Sequence, residues 1–261
     1  MKIFLLITTL LLAGCATRGS LPETLQNKPQ VQENPMVEQL NELKPLNGPV
    51  MTVGVYNFSD KTGQRKPADN VANLSSAVTQ GAEVWVIDAL LQAGEGTWFE
   101  VVERGGMDNI IRERQLIRNT RENYEKDNAS ALQPMKFAGI LLEGGIVGYD
   151  SNITTGGNGA MYLGVGSAAE YRVDTVTVAM RLVSVSTGRV LVSVAAEKTI
   201  ASYRQGANAF KFLDLGTQAL EIETGYSVNE PTNYAVRQAI EAAVIELIYQ
   251  GATQNLWQFK E

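Results

Sequence analysis

The chain has 261 residues, a net charge of −6 and 44% hydrophobic residues, enough apolar content for a real core and too little positive charge for a general nucleic-acid surface. It carries a single cysteine and no histidine, which excludes an internal disulfide framework, a Ser-His-Asp triad, a Cys-His pair and an ordinary zinc site. Only chemistry run on carboxylates or lysine passes this filter.

Lys2 followed by the apolar run Ile3 to Leu12 has the form of an export signal, too short to span a bilayer as a helix. Leu12-Ala13-Gly14-Cys15 then resembles a bacterial lipobox. The motif implies cleavage before Cys15 and acylation of its thiol, so that residues 1–14 are a signal peptide and a covalent lipid is the one non-protein group expected. Several acyl chains anchor durably, since each buried methylene contributes about 0.8 kcal/mol. Ala16, rather than an aspartate, follows the cysteine, which implies sorting to the outer membrane. Residues 15–47 place Pro22, Pro29, Pro35 and Pro45 among polar residues and predict an extended lipidated tether, with a helical turn or two over Val37 to Leu43.

From there Val50 to Phe58 predict a strand, and the polar stretch Ser59 to Asn73 a long loop. Ser75 or Ser76 is a candidate cap for a helix whose apolar stripe is Val78, Ala82, Trp85, Val86, Ala89 and Leu90. Trp98 to Val102 predict a second strand. Met107 to Leu116 predict a second helix with Ile110, Ile111 and Ile117 on one face, and Phe137 to Val147 a third strand. Pro231 opens a C-terminal helix with the stripe Val236, Ala239, Ile240, Ala243, Val244, Leu247 and Ile248, ended by Gly251. The mixture is an α+β domain.

Tyr149 to Asn229 contains no convincing helix. From Met161 the odd positions read Met161, Leu163, Val165, Ser167, Ala169, Tyr171 and Val173, while the even positions are small or charged. That dyad fits a strand between lipid and a polar lumen, and fits equally an extension of a water-soluble sheet. The apolar parity then changes to Val176, Val178, Met180 and Leu182, which a bulge near Asp174 would accomplish. Gly156-Gly157-Asn158-Gly159 supplies a turn before this strand, and Val190 to Phe212 form a second candidate hairpin. Neither glycine cluster precedes a helix or a Gly-Lys-Ser/Thr, so no phosphate loop is expected. Glu103, Asp108, Glu113 and Arg112 or Arg114 are the candidates for a carboxylate active site, against the simpler reading of solvated charges at strand and helix ends.

Two hairpins cannot close a barrel within one chain, because open edges in lipid would leave backbone groups unpaired. If the hairpins span the membrane, several copies must join. VYNFSDKTGQRKP (55–67), ERGGMDNIIRERQLIR (103–118), LEGGIVGYDSN (142–152), RLVSVSTGRVL (181–191) and GYSVNEP (225–231), in this order and spacing, resemble the curli production assembly/transport lipoproteins, the CsgG family. The resemblance runs from about Gly48 to Trp257, plus the lipobox.

It implies a non-enzymatic, lipid-anchored subunit of a homo-oligomeric outer-membrane channel with its soluble part in the periplasm. The periplasmic domain would comprise 48–148, 175–190 and 214–261, and the transmembrane hairpins about 149–174 and 191–213. Met161, Leu163, Val165, Ala169, Tyr171 and Val173 would face lipid. The family's ring is ninefold, a number belonging to the family and not to any count on this sequence; a barrel of that size is the largest known, at about 36 strands. The implied substrate is an unfolded curli-type subunit, moved without nucleotide, with a periplasmic adaptor and a surface nucleation-coupling factor as partners. Lys66 to Ser75 corresponds to the loop that narrows the family's channel. Asn73 matches its asparagine, Leu74 stands where the family has phenylalanine, and Ala68 or Asp69 falls near its tyrosine. Asn73 and Leu74 could equally cap the helix that follows. The competing readings are a lipoprotein that docks onto an envelope partner without forming a channel, and a carboxylate hydrolase at the membrane surface.

Overall fold

A computed structural model describes residues 31, 34–65, 76–125, 131–156, 169–204, 210–215, 220–221 and 231–261. The chain divides into two units, Met1–Gln32 and Glu33–Glu261, and every element of secondary structure described belongs to the second. The fold is α+β. Strands β1 (Met51–Val55), β2 (Phe99–Glu103), β3 (Ile140–Gly156), β4 (Ala169–Ser184), β5 (Val190–Arg204), β6 (Phe210–Leu215) and β7 (Leu220–Glu221) form one sheet in the order β2-β1-β3-β4-β5-β6-β7. β1 runs parallel to both β2 and β3, and every later pairing is antiparallel. The helices are α1 (Val37–Asn41), α2 (Glu83–Gln92), α3 (Met107–Tyr124) and α4 (Pro231–Thr253).

One face of the sheet carries the core. Val176, Val178, Met180 and Leu182 of β4 and Val192, Val194 and Ile200 of β5 are buried there. Across from them α4 contributes Val236, Ala239, Ile240, Ala243, Val244, Leu247 and Ile248, all buried. That helix is apolar at three- and four-residue spacing because one side of it lies flat on two strands. Its end is fixed by aromatic packing. Trp98, fully buried, meets the rings of Trp257 and Phe259 edge-on, with centroids 6.0 Å and 5.5 Å away. Trp98 Nε1 donates to the Lys44 carbonyl at 2.9 Å and Trp257 Nε1 to the Ile248 carbonyl at 2.8 Å, so neither indole leaves a polar atom unpaired.

Four expectations change. The tether predicted through residue 47 ends earlier: Leu40 and Leu43 are core residues, Leu46 bridges Phe259, and Lys260 N–H donates to the Pro45 carbonyl at 2.8 Å. Ser76 caps no helix. α2 begins at Glu83 behind Ala82, with no side-chain cap, and Ser76 instead bridges Arg65. α3 runs on to Tyr124, and none of its residues is buried; the predicted apolar face of Ile110, Ile111 and Ile117 leaves Ile111 exposed and the other two half-buried. Finally, β4 has no bulge at Asp174. Its pairing with β5 is regular from Glu170 to Leu182, and the extra residue lies on β3 at Val147, between the pairs Ile146–Val178 and Gly148–Thr177. The parity of apolar residues therefore changes along a strand that does not slip against β5.

Candidate functional site

The chain leaves β1 through Phe58, which is fully buried, and returns to the sheet at β3. Ile146 N–H donates to the Ser59 carbonyl at 3.1 Å and Lys61 N–H to the Ile146 carbonyl at 2.8 Å, a short parallel bridge centred on Asp60. Gly144 and Gly145 make this seat. A Cβ on Gly145 would stand 2.6 Å from the Ser59 carbonyl oxygen, and one on Gly144 would stand 2.4 Å from the Phe58 ring and 2.3 Å from the Ala179 carbonyl oxygen. All three distances are impossible for real side chains, so the pair is required for the close approach of the Phe58 ring and of neighbouring backbone.

Beyond the seat, Arg65 bridges Ser76 and Ala77 N–H donates to the Gln64 carbonyl at 2.9 Å. The outgoing limb (59–65) and the returning limb (76–80) therefore form a stem whose two ends hold residues 66–75 between them. Asp60 ties the limbs together. Its Oδ1 accepts from Thr62 N–H at 2.7 Å and Thr62 Oγ1–H at 2.6 Å, and its Oδ2 accepts from Gln80 Nε2 at 3.2 Å. Thr62 Oγ1 in turn accepts from Gln64 N–H at 3.1 Å. An open cavity of about 360 Å³ lies between the stem and the face of the sheet away from α4, with Tyr56, Lys61, Glu143, Val147 and Arg181 in its lining. Arg181 donates twice to one oxygen of Glu143, from Nη2 at 2.7 Å and from Nε at 3.1 Å.

The sequence-predicted site residues divide sharply. Asp69, Asn73 and Leu74, together with Cys15, Met161, Leu163 and Val165, lie outside the described residues. The backbones of Ala169, Tyr171 and Val173 pair with Gly156, Thr154 and Asn152 of β3, and Tyr171 stands opposite Tyr203 of β5. Val173 is half-buried and adjoins Asp174, which is buried and accepts from Tyr149 Oη at 3.1 Å. The carboxylate candidates do not converge: Glu103 accepts from Gly106 N–H at 2.7 Å, Arg114 donates to the Gln133 carbonyl at 2.7 Å, and Asp108 and Glu113 are exposed. Among the described residues no group of three or more acidic or thiol ligands is placed to hold a metal, and no helix is long and apolar enough to cross a membrane.

One buried ionic cluster escaped the sequence reading. Arg237 and Glu241 face each other one turn apart on α4, Nε to Oε1 at 3.0 Å, and Glu241 Oε2 accepts from Met36 N–H at 2.7 Å. Arg237 also reaches Asn34 Oδ1 and lies 3.8 Å from Asp88 of α2. Burial pushes the Glu241 carboxyl above the ordinary carboxylate range, against the opposing pull of Met36 N–H and Arg237. An i, i+4 Arg-Glu pair inside an apolar stripe was the available signal. Such pairs usually lie on the wet side of a helix, so sequence alone does not mark this one as buried.

Residues 36–261 match the family model described as curli production assembly/transport component CsgG. This chain belongs to that family. It is a curli production assembly/transport component, and its stem sits on the same LEGGIVGYDSN segment that carries the resemblance in sequence. The CsgG proteins of Escherichia coli (strain K12) and Salmonella typhimurium are each 39% identical to it, over 99% of this chain and 91% of theirs. Among solved structures, the PelC dodecamer from Paraburkholderia phytofirmans aligns over 78% of this chain and 92% of its own at 16% identity, with a TM-score of 0.30, a likeness too slight to bear on fold or assembly.

Proposed function

We propose that this CsgG-family chain is one subunit of a homo-oligomeric ring in the outer membrane, anchored by lipid on Cys15, through which unfolded curli-type subunits leave the periplasm without nucleotide or catalysis. The observation that carries the proposal is the length over which β3 and β4 stay paired. Tyr149, opposite Val176, and Asp174, opposite Ser151, are the last buried side chains described on these two strands. Past the Ser151–Asp174 pair the strands stay paired from Asn152–Val173 to Gly156–Ala169, five residues of β3 or about 17 Å at ~3.4 Å per residue. The described pairs thus span about two thirds of the ~25 Å apolar band of outer-membrane barrels. On this part of β4 the sequence puts apolar residues at Ala169, Tyr171 and Val173 and charged ones at Glu170 and Arg172.

Among the described residues of the hairpins, β3 and β6 each have a partner on one side only, and such a four-stranded piece cannot stand alone in hydrocarbon. Neighbouring copies must supply the missing partners, which gives a wall of hairpins about 149–174 and 191–213 enclosing water. Selection then rests on width. A folded domain of about 100 residues has a radius of gyration near 13 Å, while an extended chain is one side chain across. The stem-held residues 66–75 are the natural narrowing, with Asp69, Asn73 and Leu74 at the passage. A periplasmic adaptor and a surface factor that couples export to nucleation would complete the route.

Electron microscopy of the detergent-extracted lipoprotein should show rings, and planar bilayers should show ion conduction. Asn73→Trp should lower unitary conductance in proportion to the added bulk. Rings whose conductance ignores that change would remove residue 73 from the pore, and a protein that is single and non-conducting would refute the channel itself.

A further inference from the structure

We infer that Arg237 and Glu241 of α4 are a mooring: they hold the chain at Asn34 and Met36 and so fix the point at which the N-terminal tether joins the folded unit. The segment they hold has little structure of its own. α1 is five residues long and has no side-chain cap at Met36, and an isolated helix of that length does not form in water. The N–H groups at its start need acceptors from elsewhere. Glu241 Oε2 supplies one from a different helix, taking Met36 N–H at 2.7 Å, and Arg237 donates to Asn34 Oδ1. Among the described residues, these are the hydrogen bonds that join residues 34–37 to the rest of the fold. The bonds from Val37 N–H to the Asn34 carbonyl and from Leu40 N–H to the Met36 carbonyl stay within the strap. Behind this point the strap is held differently. Leu40 and Leu43 are core residues, and the Leu40 and Pro45 carbonyls accept from Gly94 N–H and Lys260 N–H, both at 2.8 Å. Residues 34–37 are only half-buried, so their hold depends on the ionic pair.

The pair also selects which residue is held. Glu241 gives one oxygen to each partner, Oε1 to Arg237 Nε at 3.0 Å and Oε2 to Met36 N–H. Both side chains are buried, and buried charges are tolerated only with their partners in place. The neighbours of Met36 cannot take its place. Pro35 has no N–H, and Val37 N–H is already given to the Asn34 carbonyl at 3.1 Å. A slide of the chain by one residue therefore leaves a buried oxygen without a donor. Without the mooring the chain would first be held at Leu40. Residues 34–39 would then join the free segment, adding about 20 Å of reach at ~3.3 Å per residue. The mooring thus limits how far the folded unit can stand from whatever holds the tether. That a lipid on Cys15 holds it belongs to the channel reading, on which the mooring does not depend.

The test is hydrogen exchange followed by mass spectrometry on the full-length protein. It is read at the amides of Met36 and Val37 and, for comparison, at those of Gly94 and Lys260, which hold the strap at Leu40 and Pro45. All four should be protected in the parent. Glu241→Ala should speed exchange at Met36 and Val37 on the order of 10- to 100-fold, the loss expected for a hydrogen bond to a charged group, and leave Gly94 and Lys260 unchanged. Arg237→Met combined with Glu241→Leu replaces the ion pair by apolar groups of roughly similar size, which should keep Tm at or above that of the parent. It also removes both partners of the strap, so Met36 and Val37 should still exchange as fast as in Glu241→Ala. A pair that merely stabilised the fold would instead have Tm and protection restored together. Protection at Met36 and Val37 that survives either change would overturn the inference. So would unprotected amides there in the parent, or exchange that rises equally at Gly94 and Lys260. If Glu241→Ala does not fold, the double variant decides alone. A parent that forms no conducting rings refutes the channel reading and leaves this result standing.

Discussion

Leu40→Ala separates a tether from a fold. In a solvated stalk the change would cost nothing, because both side chains would be wet in every state. In the structure Leu40 is fully buried beside Leu43, and its carbonyl accepts from Gly94 N–H at 2.8 Å. Truncating a fully buried leucine destabilises by about 2–5 kcal/mol, the upper end applying where neighbours cannot collapse into the space. The neighbours here are α2 and α4, held by their own packing. The helix that carries Leu40 is only five residues long and can move inward, so a value of about 3 kcal/mol is expected. For a unit of this size each kcal/mol shifts Tm by about 2–4 °C, giving a fall of roughly 6–12 °C. Thermal unfolding followed by near-ultraviolet circular dichroism reads it, since Trp98 and Trp257 lie in the same core. Gln39→Ala, at an exposed position of the same helix, is the control and should stay within about 0.5 kcal/mol. A Leu40→Ala protein that melts with the control would show that residues 34–47 are not part of the folded unit.

Glu241→Gln should change how stability depends on pH. Burial raises the folded carboxyl above its ordinary 4.5, so the group's contribution is complete below about pH 4.5 and is lost as pH rises through the raised value. The parent should therefore lose stability across that window relative to Glu241→Gln, and parallel curves of Tm against pH would contradict the assignment. Gly251→Ala sets two effects of opposite sign against each other. Alanine favours a helix over glycine by about 1 kcal/mol, but its Cβ would stand 1.9 Å from the Trp257 ring, and overpacking of this kind costs about 1–3 kcal/mol. Displacement of Trp257, seen as a red shift in tryptophan emission, should accompany a net loss of stability, whereas a stabilised variant with unchanged emission would mean the ring yields without cost.

Much of this protein is legible along the chain. The stripe on α4, the alternation of β4 and the strands flanking α2 follow from local period, because an amphipathic segment shows its buried side whatever covers it. The shared motifs, LEGGIVGYDSN among them, also identify the family before any coordinates are known. What the chain does not display is the partner. Leu40, Leu43 and Leu46 read as stalk because prolines and polar residues surround them, yet the residues that bury and bridge them are as far away in sequence as Gly94, Phe259 and Lys260. Gly144 and Gly145 look like weak points in a strand, and only the approach of Ser59 and Phe58 explains them. Ser76 has the chemistry of a helix cap and serves instead to close a stem with Arg65. The apolar parity of β4 changes without a bulge at Asp174, and the extra residue lies instead on its neighbour β3 at Val147. Sequence thus sets which side of each element avoids water, since that depends on neighbours a few residues away. Tertiary structure decides what it avoids water against, since that depends on contacts between residues that are remote until the chain folds.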